Sequence, residues 1–156
     1  MRRLLLFITL PLYLLDQATK AAILSFVPEH AIFPVVPGFF HIVRVYNTGA
    51  AFGMLGGANS FFTVLSAAAI VVVFVLIRKG SFRDPLSQWG AALLLAGVFG
   101  NLTDRLLHGH VVDFLDFILP FYGHWPAFNV ADSCICIAAG LFVIAALLEQ
   151  PRGRQQ

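Results

Sequence analysis

The chain has 156 residues, of which 59% are hydrophobic and 12% charged, with a formal net charge of +2 and a mean hydropathy of +0.85. That composition excludes an ordinary soluble domain and places the chain in a membrane. So small a net charge gives no reason to expect nucleic acid as a partner.

The first apolar segment runs from Leu4 to about Phe26 and is interrupted by Asp16, Gln17, Thr19 and Lys20. Arg2 and Arg3 precede it as they would a signal peptide. The segment is nevertheless long, carries a carboxyl in its middle and lacks a small-x-small cleavage site, so it reads as an uncleaved membrane helix. Asp16 and Lys20 stand at i and i+4, the spacing of an ion pair on one helix face. Pro28, Pro34 and Pro37 then stop helix formation. The run from Phe39 to Tyr46 is β-branched and aromatic, which predicts a strand leading into Asn47-Thr48-Gly49 and on to Gly53. The stretch of about 38–56 is too polar and broken to span, and is expected to form a small β-containing element at the outer membrane surface. From Ser60 to Ile77 the chain is unbrokenly apolar; those positions cover about 27 Å as a helix, close to the hydrocarbon thickness. Further spans are expected at about 86–104 and 128–148, and the tail from Pro151 is polar. The fold class is thus an all-α membrane protein, a single domain over 1–156 with four transmembrane helices (about 4–26, 60–77, 86–104 and 128–148).

Basic residues give the orientation. Arg2, Arg3, Arg78, Lys79, Arg83, Arg152 and Arg154 share one end of a four-span layout, whereas Lys20, Arg44 and Arg105 do not. The excess at one end predicts cytoplasmic termini and puts all the histidines and most of the acids in the outer half. Cys134 and Cys136 stand two apart in an apolar run, where a helix turns them to nearly opposite sides. They read as apolar fillers and not as a redox or metal pair.

Asp104, Asp113, Asp116 and Asp132 gather between the third and fourth spans, with Asp113 and Asp116 in the expected connecting loop. An ionisable group beside lipid is costly unless it has partners or faces a polar cavity. Asn101–Asp104 and Asn129–Asp132 repeat one spacing, Asn and then Asp three positions on, which puts both side chains on one helical face. The plain alternative is capping of the last helix by Asn129 or Asp132. Paired carboxyls also suit hydrolysis, because two such groups close together share one proton, leaving one to activate water and the other to protonate. Such a pair needs no metal and no cofactor. Spacing alone leaves open which of Asp104, Asp113 and Asp116 partners Asp132. A metal set from His108, His110 and His124 lacks helical spacing and is the weaker reading. A proton-coupled transporter and a small membrane subunit binding a partner protein are rival classes; acids crowded on one face, instead of stepping across the bilayer, argue against transport.

Five blocks add specificity: Asp16-Gln-Ala-Thr-Lys20, Asn47-Thr-Gly-Ala-Ala-Phe52, Gly100-Asn-Leu-Thr-Asp-Arg105, Val111-Val-Asp-Phe114 and Phe128-Asn-Val-Ala-Asp132. In these blocks, in their order and in the four-span layout, the chain resembles the lipoprotein signal peptidases (signal peptidase II). The resemblance implies an aspartyl endopeptidase of the bacterial inner membrane, active at the periplasmic side. Such enzymes remove the signal peptide from diacylglyceryl-modified prolipoproteins, cutting before the lipidated cysteine. It implies Asp113 and Asp132 as the catalytic pair. Asn47, Asn101 and Asn129 would bond the pair or the substrate backbone, and Gly49 would allow close backbone approach. Asp16, Lys20, Asp104 and Arg105 would shape and neutralise the pocket. The expected partners are the prolipoprotein substrate and membrane lipid, with the enzyme a monomer.

Overall fold

The computed structural model describes residues 1–49 and 58–149. Within them lie four helices long and apolar enough to cross a membrane: α1 (Arg2–Phe26), α2 (Asn59–Arg78), α3 (Pro85–His108) and α4 (Val130–Leu148). They match the expected spans to within a few residues, except that α3 continues to His108. A π-helical turn over Leu5–Thr9 sits just before Pro11, whose ring nitrogen cannot donate the backbone bond a regular helix needs there. Asp84 caps α3 by accepting from Ser87 N at 2.9 Å, Pro85 occupies its first turn, and Gly109 ends it at φ 75°, a left-handed turn that favours glycine.

α3 is the core of the bundle. In its apolar window 61% of residues are buried within the protein, against 6–17% in the other three helices, which turn most of their side chains toward lipid. Small residues permit this: Ala91, Ala92, Ala96 and Gly97 let neighbouring backbones approach closely. Polar ties add to the packing, with Thr9 Oγ1 donating to Ala92 O at 2.8 Å. A Cβ on Gly97 would stand 2.3 Å from Ala131 O and 2.7 Å from Ile135, both on α4. Backbone cannot yield easily, so Gly97→Ala is expected to cost ~1–3 kcal/mol, read as a lower midpoint of unfolding in detergent. Gly140→Ala is the control: a Cβ there meets nothing within 4 Å, and the change should be neutral or slightly stabilising.

The other architectural unit is a four-stranded antiparallel sheet in the order β1-β2-β3-β4, formed by β1 (Ile32–Val36), β2 (Phe40–Asn47), β3 (Val111–Leu119) and β4 (Gly123–His124). Pro34 is accommodated because β1 is an edge strand. The sheet is larger than the sequence reading expects. In particular, Asp113 and Asp116 lie on a strand and not in a connecting loop. The cause is burial: Val111 through Phe114 are all buried, so the strand lacks the apolar–polar alternation of a half-exposed strand, its two aspartates being three apart. Of the expected element at 38–56, residues 50–56 lie outside the described residues, as does the tail from Pro151.

Arg44 fastens the sheet to the bundle. Its Nη1 donates to Leu24 O at 3.3 Å and Val27 O at 3.1 Å, satisfying carbonyls at the C-terminal end of α1, where a cation is favoured. Its other arm reaches the Tyr46 hydroxyl and Glu29. The junction of sheet and helices is therefore fixed from the α1 side.

Candidate active site

Asp113 projects from β3 and Asp132 from the first turn of α4. One residue joins them. The Asn129 side-chain amide donates to Asp113 Oδ1 at 2.7 Å, and the Asn129 backbone N–H donates to Asp132 Oδ2 at 3.2 Å. Asn129 is also the N-cap of α4, its Oδ1 accepting from Asp132 N at 2.9 Å, so the two residues form a reciprocal capping box. The capping reading and the pairing of carboxyls are both present, in the same residues.

Three asparagines hold the pair, and each has its amide orientation set by a donor to its oxygen. Gly49 N donates to Asn47 Oδ1 at 3.0 Å, turning Asn47 Nδ2 to Asp113 Oδ2 at 2.9 Å. Lys20 Nζ donates to Asn101 Oδ1 at 3.0 Å, turning Asn101 Nδ2 to Asp132 Oδ1 at 2.7 Å. Asn129 is fixed by its cap. With the oxygens engaged, every NH₂ group must face a carboxylate.

Beneath this layer is a buried ionic cluster. Lys20 Nζ lies 2.9 Å from both Asp16 Oδ2 and Asp104 Oδ2. Asp16 also accepts from Ala131 N at 2.8 Å, and Asp104 from Val112 N at 3.0 Å. Each carboxylate thus steadies a residue next to the pair: Asp16 the start of α4, Asp104 the start of β3. Gln17 bridges the two, donating to Asp16, Asp104 and Gly100 O. The sequence reading passed over Gln17, although its place between Asp16 and Lys20 was the available signal. Gly100 is needed here because a Cβ would stand 2.5 Å from Asp16 Oδ2.

Nine of the ten predicted site residues therefore meet in one network of side-chain contacts, and Arg105 joins it only at the edge, through a long bond to the Asn101 carbonyl. Asp104 pairs with Lys20, and among the described residues Arg105 makes no ion pair. Its guanidinium lies over the Phe62 ring, 5.4 Å from the centroid, with Nη1 3.5 Å from Asn101 O.

Asp113 is almost wholly buried. Burial, followed by the charge of Asp132, pushes its carboxyl up to about 7, against the opposing hydrogen bonds from Asn47 and Asn129. Two cavities meet at this residue. One, of about 690 Å³, opens over the sheet past Arg44, Tyr46, Asn47 and Trp125. The other, of about 490 Å³, contains Asp132 as well and runs along Phe128, Ile135 and Ile137.

Two carboxyls bridged by one asparagine at the head of an apolar cavity, within a four-helix membrane protein, have the layout of a membrane-embedded aspartic peptidase. The chain belongs to the signal peptidase II family, whose profile, described as signal peptidase (SPase) II, matches residues 8–148. It is 49% identical over 138 residues to the lipoprotein signal peptidase of Ralstonia nicotianae, covering 86% of this chain and 78% of that one. It is 42% identical over 146 residues to that of Syntrophotalea carbinolica, covering 92% and 90%. A bacterial membrane enzyme solved by the in meso method at 2.3 Å resolution superposes with a TM-score of 0.86 at 32% identity, covering 97% of this chain and 92% of that one.

Proposed function

We propose that this protein removes the signal peptide from diacylglyceryl-modified prolipoproteins, cutting before the lipidated cysteine, with Asp113 and Asp132 as its catalytic pair. The observation that carries the assignment is Asn129, which bonds both carboxyls at once where they enter one cavity. Asp113 holds the shared proton. Asp132 is the base, placed where the free N–H groups of a helix start favour negative charge. Asp132 takes a proton from water as the oxygen attacks the scissile carbonyl carbon, and Asp113 gives its proton to the carbonyl oxygen. As the C–N bond breaks, Asp132 passes its proton to the leaving nitrogen and Asp113 recovers its own from the collapsing hydroxyl.

The substrate enters sideways from lipid, keeping its acyl chains among apolar side chains such as Ile135 and Ile137. The basic residues Arg2, Arg3, Arg78, Lys79 and Arg83 support cytoplasmic termini in a bacterial inner membrane, which puts the pair at the periplasmic side. The protein acts as a monomer.

The test is cleavage of a diacylglyceryl-modified precursor and its unmodified form by purified enzyme in detergent. Burying only four methylenes contributes about 3 kcal/mol, so the modified form should be favoured by roughly 100-fold or more in kcat/KM. Asp132→Asn should remain folded and lose cleavage of both. Equal rates on the two precursors would overturn the substrate assignment, and an active Asp132→Asn would overturn the pair.

A further inference from the structure

We propose that His41, Asp116 and His124 form a binding site for a divalent transition-metal ion, Zn²⁺ foremost, that clamps the β3–β4 hairpin to β2. Its three residues are distinct from the catalytic pair, although Asp116 and His124 line the same cavity of about 690 Å³ as Asp113.

The sheet brings the three residues together. His41 is the cross-strand partner of Asp116, and His124 is the partner of Ile118, two residues along β3 from Asp116. Residues two apart on a strand share a face, so all three side chains rise from one side of the sheet. His41 Nδ1 lies 3.2 Å from Asp116 Oδ2, and His124 Nδ1 lies 3.0 and 2.9 Å from Asp116 Oδ1 and Oδ2. One donor atom from each residue falls within 4.8 Å of the others. Tetrahedral donors about 2.1 Å from a zinc ion stand about 3.4 Å apart, so the ion needs only small adjustments. Two imidazoles and a carboxylate are the donors that zinc accepts, and they leave a fourth position open.

Burial separates this cluster from an ordinary surface group. Asp116 is buried, its carboxylate covered by the two rings. The His124 side chain, 60% exposed, gives the ion a path in and the open position a place for water. The cluster shares His124 with the set read from sequence but has His41 and Asp116 in place of His108 and His110, whose rings lie against each other, tilted, with centroids 6.0 Å apart. Cross-strand pairing put the signal elsewhere, in His41, which sequence spacing does not connect to Asp116. The purpose follows from position. β4 leads directly to Trp125, Pro126 and Ala127, which line both cavities at Asp113. An ion fixing His124 to β2 and β3 would hold that wall in place.

The experiment uses the full chain without a histidine tag, purified in detergent and stripped with chelator. Co²⁺ should bind with a stoichiometry of one and develop the visible absorbance of a four-coordinate site, which Zn²⁺ abolishes by displacement. Zn²⁺ should raise the melting temperature. His41→Ala and His124→Ala should each weaken binding by about 10-fold or more and remove that thermal shift. His124 is exposed, so its variant folds even if the others do not. The double variant His108→Ala/His110→Ala should bind as the unaltered chain does. If the His41 and His124 variants bind as well as wild type, or if loss instead follows the His108/His110 change, the proposal is overturned. If no binding is detected, Asp116 only links two rings by hydrogen bonds, and the proposal also fails.

Discussion

Asp113→Asn is expected to lower the cleavage rate by ~10³-fold or more and at the same time to raise the melting temperature at pH 8. The two effects have one cause. Asp113 is buried with Asp132 nearby, and its carboxyl is held at about 7, compared with 3.8 for a free aspartate. A carboxyl whose folded pKa lies above its unfolded one stabilises the protein fully only below the unfolded value. That contribution is lost as pH rises through about 7, because the unfolded chain ionises freely while the fold must bury the charge. Above pH 7 the full difference corresponds to roughly 4 kcal/mol. Asparagine removes the charge but turns an NH₂ group toward Asn47 or Asn129, so a net gain of ~1–3 kcal/mol is expected. At pH 4 the variant should instead be less stable by about the hydrogen-bond cost, ~1–3 kcal/mol; the difference should change sign as pH rises and level off above about 7, as read by melting curves in detergent. A difference that does not vary with pH would show that burial of this charge is not its origin. Wild-type kcat/KM should fall about tenfold per pH unit on the alkaline side of 7, as the shared proton is lost.

The helices were legible because their apolar runs are long and bounded by charge, proline or glycine, as with Ser60 to Ile77 before Arg78. β2 was legible through its β-branched and aromatic residues. β3 was not, for a reason specific to its position. It is covered on both sides near Asp113, so the polar alternation that marks a half-exposed strand is missing. The site was legible as a set of residues and only partly as a set of contacts. The i, i+4 pairing of Asp16 and Lys20 is as spacing implied, since both atoms lie on one helix. The second bond of Lys20, to Asp104, joins different helices and could not be read from order alone. Adjacent numbers point instead to Arg105, which makes no ion pair with Asp104 among the described residues and lies over Phe62 with its Nη1 3.5 Å from Asn101 O. Asn129 and Asp132 allowed capping and chemistry as alternatives; the backbone of α4 uses the same atoms for both.

Lys20→Met is expected to be the most damaging single change outside the catalytic pair. Lys20 is 3% exposed and is the ion-pair partner of both Asp16 and Asp104, themselves 1% and 2% exposed. Methionine fills the space of the stem but leaves two carboxylates facing each other without a cation. Breaking a buried pair by removing one partner costs about 3–5 kcal/mol, and here two partners are stranded. The fault should travel along a definite path. Without the Lys20 ammonium, Asn129 alone among the described residues fixes the Asn101 oxygen, and an Asn101 amide that turns over would present oxygen, not NH₂, to Asp132. Activity should therefore fall even in the fraction that remains folded. Adding Asp104→Asn removes one stranded charge, and the double variant should recover a clear part of the lost stability, a coupling measured by a double-mutant cycle on melting or denaturant midpoints. Activity should not recover with it, because the bond from Lys20 to Asn101 is still missing. Strictly additive losses in the two variants would mean that Lys20 and Asp104 do not act as a pair, and full activity in Lys20→Met would mean that Asn101 is held by something other than this ammonium.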